Sequence, residues 1–171
     1  ATIRAEAQAL DNLVANVDQA YVAALELILR RPGKLVITGM GKSGLIARKI
    51  AATMSSTGTL AVFLHPGEAM HGDLGVVAAE DLVIAIGKSG ESEELLSILP
   101  VLKKLGTPII AITANPASSL ARHADLVLDS GVGKEACPYD LAPTTSTTAA
   151  LAIGDALAIG CRICRRFLAC R

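Results

Sequence analysis

Aromatic side chains are scarce in this sequence: two Phe, two Tyr and no Trp occur among 171 residues. Because 51% of the residues are nonetheless hydrophobic, the core must be built mainly from Ala, Val, Ile and Leu. That mixture is typical of a buried parallel sheet covered by helices. A chain of this length can form one domain with a full core. We therefore expect a single α/β domain over residues 1–171.

An excess of either charge is also missing, since Lys plus Arg and Asp plus Glu number 16 each. Proteins that hold nucleic acid by its phosphates usually carry a basic surplus, so we expect no nucleic-acid partner. No apolar run approaches the roughly 20 residues that span a bilayer, and the N-terminus lacks the basic-then-apolar order of a signal peptide. We therefore expect no membrane partner and a cytoplasmic protein.

The four cysteines lack the spacing of a disulfide framework. Cys137 stands alone, whereas Cys161, Cys164 and Cys170 lie among arginines close to the end of the sequence. A Cys-x-x-Cys pair can begin a zinc site, but no fourth ligand lies nearby. We expect residues 161–171 to form an atypical tail, either frayed or foreign to the domain.

Apolar spacing divides the chain into helices and strands. Apolar residues at three- and four-residue steps predict one amphipathic helix over about residues 3–30, ended by Pro32 and Gly33. Short β-rich runs predict five strands, at residues 34–38, 60–64, 82–86, 108–113 and 125–128. Most of them alternate with helical stretches, at residues 44–56, 92–105, 117–123 and 144–163.

This alternation predicts a doubly wound, flavodoxin-like fold: a five-stranded parallel sheet with helices on both faces, in three α/β/α layers. Within the single domain, the N-terminal helix falls in residues 1–32, the α/β core in residues 34–160 and the tail in residues 161–171.

Two similar segments follow the first and third predicted strands, since residues 41–44 and 87–90 both read Gly-Lys-Ser-Gly. In a doubly wound sheet, ligands bind outside the carboxyl ends of the strands. Residues 39–44 match the dinucleotide fingerprint, but no acidic residue for a ribose ends the second strand, and the spacing does not fit a Walker loop. The interpretation that remains is an anion cradle made by backbone amides at helix starts.

Hydroxyl side chains begin three of the predicted helices. They are Ser43, Ser89, Ser92 and the run at residues 144–148, which includes Thr145. Each could complete an anion cradle or act as an ordinary helix N-cap. Because two of the three groups lie at loops where this fold binds ligands, we favour a phosphate.

Two polar loops carry further candidates. In residues 64–75, His65 and His71 with Glu68 and Asp73 could bind a metal or transfer protons near neutral pH. In residues 133–138, Glu135 is a candidate acid or base, with a solvated surface residue as the alternative.

Together these motifs resemble the SIS domains, a family of phosphosugar isomerase and phosphosugar-binding modules, over about residues 34–160. Within that family the sequence most resembles the arabinose 5-phosphate isomerases, in residues 39–44, 65–68, 71–75, 134–138 and 141–148. The resemblance implies interconversion of D-ribulose 5-phosphate and D-arabinose 5-phosphate, early in making the octulosonate sugar of lipopolysaccharide or capsule. It also implies a homotetramer that takes a sugar-phosphate substrate and requires no cofactor.

The resemblance further assigns roles to individual residues. Lys42, Glu94 and Glu135 correspond to catalytic positions, and His65 corresponds to a metal-binding position, with zinc as the candidate ion. The residues implied in substrate binding are Ser43, Gly58, Thr59, His71, Ser89, Ser92, Gly131, Val132, Gly133 and Thr145.

The implied chemistry suits these residues. An aldose–ketose isomerase moves a proton between adjacent carbons through an enediolate, so it needs a base and a cation beside the oxyanion. Lys42 suits the cation, and either Glu94 or Glu135 suits the base; the sequence does not choose between them. Glu94 also lies in an acidic first helical turn, where compensation of the helix dipole is a sufficient explanation.

Three departures from the family pattern bear on activity. Gly87 and Lys88 stand where relatives usually have Ser-Asn, so one phosphate-binding hydroxyl is lost and a cation is gained. The downstream Ser-His-Pro-Gly-Gly segment and the paired CBS domains of longer relatives are not in the sequence. The ending from Cys161 onward does not resemble the family. The alternative function is therefore a phosphosugar-binding or regulatory module without catalysis.

Overall fold

Five parallel strands form the central sheet of the computed structural model, which describes residues 1–169, with side chains as far as Arg166. The strands are β1 (Leu35–Gly39), β2 (Ala61–Leu64), β3 (Leu82–Ile86), β4 (Ile109–Thr113) and β5 (Leu126–Asp129). Their order in the sheet is β2-β1-β3-β4-β5, and every neighbouring pair is parallel. This order confirms the predicted doubly wound sheet.

Helices connect the strands and flank the sheet. They are α1 (Thr2–Ala15), α2 (Gln19–Arg30), α3 (Gly41–Ser56), α4 (Pro66–Ala69), α5 (Glu93–Leu105), α6 (Ser119–His123) and α7 (Thr145–Ala169). A 3-10 turn at Asp73–Val76 follows α4. Both α4 and this turn fall in the segment interpreted above as a loop, because elements of four residues are too short to show a hydrophobic period.

Strand side chains alternate between two apolar layers, so helices cover both faces of the sheet. Ile37 and Ile84 lie in one core cluster, with residues of α1, α2, α3 and α7. Val36 and Val83 lie in the other, with residues of α5. Since both faces are covered, β1, β3 and β4 are buried along their whole length, which is why they read as continuous apolar runs.

The N-terminal segment forms two helices, so the prediction of a single helix over residues 3–30 was wrong. α1 ends at Ala15, and α2 begins after Asp18, whose carboxylate accepts a hydrogen bond from the N–H of Ala20 at 2.8 Å. Asp18 is therefore the N-cap of a new helix. The apolar stripe continues across the break, so its spacing alone did not reveal it.

The last helix extends well beyond its predicted end at about Ile163. α7 continues to Ala169, and Cys161 is fully buried in the core. A frayed tail was therefore the wrong expectation for residues 161–169, while Cys170 lies outside the described residues.

One part of α7, Thr145–Arg166, is long and apolar enough to cross a membrane by length and composition. The prediction that no apolar run approaches this length was therefore wrong. Ala149, Ile153, Leu157 and Cys161 of this helix are buried in the core cluster that also contains residues of β1 and α3. A core helix passes the same test of length and composition, so the finding is weak evidence for a membrane span.

Candidate functional site

The loops after β1 and β3 lie side by side at the carboxyl edge of the sheet, because Gly39 pairs with Ile86 in the strand register. α3 begins after the first loop and α5 after the second. Neither N-cap residue, Met40 or Ser92, uses its side chain to cap its helix. The first turns of two neighbouring helices are thus left without a side-chain cap, and uncapped helix starts favour anions.

Glycine allows these loops to pack closely against their surroundings. A Cβ on Gly44 would lie 2.5 Å from the carbonyl oxygen of Gly39, so the first turn of α3 lies directly on the end of β1. Gly90 has a φ of +69°, and a Cβ there would collide with the side chain of Ser118. The backbone of both loops is therefore held in place at the edge where this fold binds ligands.

Five of the predicted site residues lie on these two loops and helix starts. Lys42 and Glu94 are exposed in the first turns of α3 and α5, and Ser43 and Ser92 are half-buried. The hydroxyl oxygen of Ser89 accepts a hydrogen bond from the N–H of Glu91 at 3.3 Å. The structure thus brings the predicted cation, one predicted base and three predicted hydroxyl groups to the same edge of the sheet.

Glu135 lies in the loop between β5 and α7, and its side chain is only 2% exposed. Its Oε2 accepts hydrogen bonds from the backbone N–H of Thr144 at 2.9 Å and of Ser146 at 3.1 Å. The Thr144 hydroxyl lies 3.3 Å from the same oxygen. Glu135 therefore caps the start of α7, and the solvated surface position considered above is wrong for it.

Lys88 supplies the positive charge beside this carboxylate. Its Nζ lies 3.1 Å from Oε1 of Glu135 and 3.5 Å from Oδ1 of Asp140. Burial raises the pKa of the Glu135 carboxyl, but hydrogen bonds from Ser146 and Thr144, together with the contact with the Lys88 ammonium, outweigh this effect and lower the pKa to about 2. Glu135 is thus ionised at neutral pH and occupied by internal partners.

At the start of α7, the third hydroxyl-rich helix start, hydroxyl and amide groups already form hydrogen bonds within the chain. The starts of α3 and α5 have no such side-chain cap. The Thr145 hydroxyl donates to the carbonyl of Lys134 at 3.1 Å, and Thr145 is 2% exposed. The N–H of Ser146 already donates to Glu135. These contacts give Thr145 a structural role and leave its hydroxyl without a free position for a phosphate.

Gly58 and Thr59 lie at the opposite edge of the sheet from the loops described above. They follow α3 and precede β2, at the amino ends of the parallel strands. α3 has 16 residues, so at 1.5 Å per residue it separates them from Lys42 by about 24 Å. The structure does not bring these two residues together with the other candidates in one chain.

Residues 131–133, which the resemblance implies in substrate binding, follow β5 at the carboxyl edge of the sheet, and their surroundings differ. Gly131 has a φ of +63°, and a Cβ there would lie 2.5 Å from Nδ2 of Asn16. Val132 is buried in the core, whereas Gly133 is exposed. Of the three, Gly133 is the residue with open space around its Cα.

The two histidines of the segment after β2 are separated by α4. His65 is the N-cap of α4, and its Nδ1 accepts a hydrogen bond from the N–H of Gly67 at 3.2 Å. His71 is exposed beyond the helix. No group of three His, Cys, Asp or Glu side chains with the spacing of metal ligands occurs among the described residues. The surroundings of His65 in one chain therefore do not fit a zinc site, which takes at least three protein ligands.

Lys88 and Asp140 are the parts of this arrangement that sequence reasoning missed. Lys88 was identified only as a departure from the family pattern, where relatives usually have Asn, and Asp140 was not singled out. One signal was available: a lysine directly after a buried strand, in a chain with a candidate buried acid, indicates an ion pair, because buried carboxylates need a compensating charge. The sequence did not reveal which acid Lys88 would meet.

Comparison with known proteins identifies similar chains. A family model described as SIS domain matches residues 28–160. Arabinose 5-phosphate isomerase KdsD of Pseudomonas aeruginosa is 49% identical over 168 residues, which cover 98% of this chain and 52% of that protein. KdsD of Escherichia coli K12 is 53% identical over 164 residues, which cover 96% of this chain and 50% of that protein. The chain therefore spans about half the length of the curated relatives it matches.

A solved structure is similar over nearly the whole chain. It is a protein of Escherichia coli CFT073 in complex with A5P, with a TM-score of 0.94 and 42% sequence identity. The match covers 97% of this chain and 88% of that one. The fold and the order of its elements are therefore shared with a protein that holds a ligand.

Proposed function

The chain belongs to the SIS domain family, and from that premise we propose that it is an aldose–ketose isomerase that interconverts D-ribulose 5-phosphate and D-arabinose 5-phosphate. The observation that carries the proposal is the pair of uncapped helix starts, with Lys42 and Glu94 exposed beside them at the carboxyl edge of the sheet. The names of the two KdsD relatives and the A5P complex of the similar structure support this substrate.

The phosphate of the substrate would bind between the first turns of α3 and α5. The backbone amides there are free of side-chain caps, and the hydroxyls of Ser43, Ser89 and Ser92 lie on the same loops. A partial positive charge at each helix start favours a dianion. This arrangement leaves the sugar carbons to extend toward the exposed side chains of Lys42 and Glu94.

The reaction transfers one proton from C2 to C1 and one from the C2 oxygen to the C1 oxygen. A carboxylate removes the proton from C2 of the aldose, and the electrons of that C–H bond form an enediolate with negative charge on O1. The same proton, or one from solvent, then adds to C1. The C2 hydroxyl gives up its proton as it becomes the ketone, and O1 takes up a proton to become the C1 hydroxyl. Lys42 would stabilise the charge on oxygen, and such stabilisation is commonly the largest single contribution to catalysis.

Between the two candidate bases, the contacts favour Glu94. A general base works best when its pKa lies near the working pH, whereas the Glu135 carboxyl has a pKa of about 2 and internal partners on both oxygens. Glu94 is exposed and free to meet a substrate. We propose Glu94 as the base, and Glu135 as the residue that organises the loop before α7.

The remaining predicted contacts follow from these positions. His71 and Gly133 are exposed, and either could touch the sugar. Because Gly58 and Thr59 lie at the opposite edge of the sheet, they could reach a substrate only in a second copy of the chain. A homotetramer would supply such a copy, and the exposed apolar side chains of α1, Ile3 at 83% and Val14 at 72%, support association.

We further propose that the protein works in the cytoplasm, early in octulosonate biosynthesis, and needs no cofactor. The sugar phosphate is its proposed partner, and neither nucleic acid nor a membrane is required by the mechanism. Zinc at His65 is not supported by the side chains around it in one chain, and no step of the mechanism depends on it.

The test is turnover of D-ribulose 5-phosphate by the chain and by matched variants. We expect Glu94→Gln to lower kcat/KM by about 10²- to 10⁴-fold, while Glu93→Gln, which removes the neighbouring exposed carboxylate, leaves it nearly unchanged. Lys42→Met should cause a loss of similar size, with Lys104→Met at the far end of α5 as its control. Binding of D-arabinose 5-phosphate without turnover in the unmodified chain would favour the alternative, a phosphosugar-binding or regulatory module.

A further inference from the structure

Lys88 links three segments that are distant in the sequence. Its carbonyl oxygen accepts hydrogen bonds from the N–H of Ala114 and the hydroxyl of Thr113, both at 3.0 Å, which fix its backbone to the end of β4. Its ammonium meets two carboxylates, Glu135 at 3.1 Å and Asp140 at 3.5 Å. The loop between β5 and α7 is thereby held against the carboxyl end of β3.

The two acids are also joined to each other. Asp140 has a φ of +53°, a conformation that residues other than glycine adopt rarely. In this conformation its Oδ1 accepts a hydrogen bond from the N–H of Glu135 at 2.8 Å. One ammonium therefore stabilises both the buried carboxylate and the turn that presents it.

The two oxygens of Glu135 depend on different partners. Oε2 accepts the amides at the start of α7, but Oε1 is buried and accepts no hydrogen bond of good geometry from the described residues. The ammonium of Lys88, 3.1 Å away, is the charge that compensates Oε1. A buried carboxylate without such a partner is costly to ionise.

We propose that Lys88 is the positioning residue for Glu135: its ammonium compensates the buried charge on Oε1 and, with Asp140, fixes the loop of residues 133–144 against the end of β3. This inference rests on the proposed function for its catalytic meaning, since Gly133 and the start of α7 border the proposed site. The contacts themselves do not depend on which reaction the chain catalyses.

The charges around Glu135 agree with this role. Among the described residues, the titratable groups that contact it are Lys88, from the loop after β3, and Asp140, from its own loop. Thr144 contributes an amide and a hydroxyl, and Ser146 in the first turn of α7 contributes an amide. Hydrogen bonds from Ser146 and Thr144 offset the effect of burial on the Glu135 pKa, and Lys88 lowers it further as the cation in contact with the carboxylate. The pKa of Glu135, at about 2, is consistent with that balance.

The experiment is a carbon-13 NMR titration of the full chain labelled at its glutamate carboxyl carbons, with the Glu135 signal assigned from Glu135→Gln. In Lys88→Met, we expect the pKa of Glu135 to rise by about one unit or more, the usual effect of an opposite charge at this distance. Lys88→Arg should keep the pKa low, because it restores the charge. Lys104→Met, at the far end of α5, should leave the pKa unchanged.

Turnover measured on the same samples separates this inference from the proposed function. A raised Glu135 pKa in Lys88→Met, with rescue by arginine, supports the positioning role even if the unmodified chain shows no isomerase activity, and that absence would count against the isomerase alone. A Glu135 pKa that stays at its original value in Lys88→Met overturns the positioning role. Lys88→Gln is the second neutral variant if the methionine variant does not fold.

Discussion

Glu135 and Thr144 are joined by a hydrogen bond of 2.9 Å, from the backbone N–H of Thr144 to Oε2 of the carboxylate, directly before α7 begins. The contact joins two residues that are nine positions apart in the sequence, and it closes the loop that borders the proposed site. Because the acceptor is a charged carboxylate at a helix start, it is favoured both by hydrogen bonding and by the helix dipole. The stability of this loop should therefore depend on the ionisation of Glu135.

The first prediction concerns the pH dependence of folding. The pKa of Glu135 is lowered from its ordinary value of 4.5 to about 2 in the folded protein. A carboxyl group with a depressed pKa stabilises the fold above its unfolded pKa, and this stabilisation is lost as the pH falls toward its folded pKa. We expect the free energy of unfolding to lose on the order of 3 kcal/mol from this group between about pH 5 and pH 2.

Urea unfolding followed by circular dichroism across this range measures the effect. Glu135→Gln should be less stable than the unmodified protein at pH 7, and its free energy of unfolding should decline less steeply below pH 5. Glu94→Gln, at an exposed position, is the control and should keep the original slope. Equal slopes for the Glu135 variant and the unmodified protein would contradict the assignment of this titration to Glu135.

The strands could be predicted because burial constrains each of their residues separately. A strand buried on both faces must be apolar at every position, so β1 and β3 could be found from composition alone, within one residue of their bounds. The break at Asp18 was hidden because the residues on both sides of it keep the same apolar spacing. A hydrophobic period reports which face is buried and says little about where one helix ends and the next begins.

The candidate site was predictable in part for a related reason. The Gly-Lys-Ser-Gly segments lie next to buried strands, and the fold brings their ends together, so Lys42 and Ser89 could be assigned to one edge. The partners of Glu135 come from residues 88, 140, 144 and 146, and no local pattern links them. Gly58 and Thr59 were grouped with the site by resemblance, which carries no information about the edge of the sheet on which a residue lies.

The second prediction concerns the ion pair at the amino edge of the sheet. Asp81 is buried, with its Oδ2 2.6 Å from Nζ of Lys34 and its Oδ1 accepting the backbone N–H of Lys34 at 2.9 Å. Removing the Asp81 carboxylate leaves the partly exposed ammonium of Lys34 without its partner, and the backbone N–H groups of Lys34 and Ala78 without an acceptor. We expect Asp81→Ala to lower the free energy of unfolding by about 3 kcal/mol.

Glu80→Ala is the matched control for this pair, because Glu80 is the neighbouring acid and is exposed. Its free energy of unfolding should stay close to that of the unmodified protein. Both variants can be compared by urea unfolding at pH 7. A loss of equal size in the two variants would show that the ion pair is not the cause.

The third prediction separates backbone conformation from close packing at Gly90. Gly90 and Gly106 both have positive φ, at +69° and +80°. An added Cβ would collide with the side chain of Ser118 at Gly90, whereas at Gly106 it would meet open space. Both alanine variants should lose about 1 kcal/mol from conformation, and Gly90→Ala should lose further stability from the collision.

Isomerase activity provides a second measurement on the same two variants. Gly90 lies in the loop that carries Ser89 and Ser92, so Gly90→Ala should also weaken substrate binding, raising KM. Gly106 lies at the other end of α5, and its variant should keep the original KM. Equal unfolding free energies for the two variants would mean that the loop moves away from Ser118 without cost.

The last prediction tests whether residues beyond Cys161 are part of the fold. Nη1 of Arg165 donates to the carbonyl of Gly58 and to the hydroxyl of Thr59, both at 2.6 Å, and so ties α7 to the end of α3. We expect Arg165→Ala to lower the free energy of unfolding by about 1 kcal/mol, because it removes two hydrogen bonds from a charged donor at a partly exposed position. Arg162→Ala, which removes an exposed arginine one turn earlier in the same helix, should change it little. If both variants matched the unmodified protein in urea unfolding, α7 would contribute to stability only through its buried residues up to Cys161, and the ends of α3 and α7 would be independent of each other.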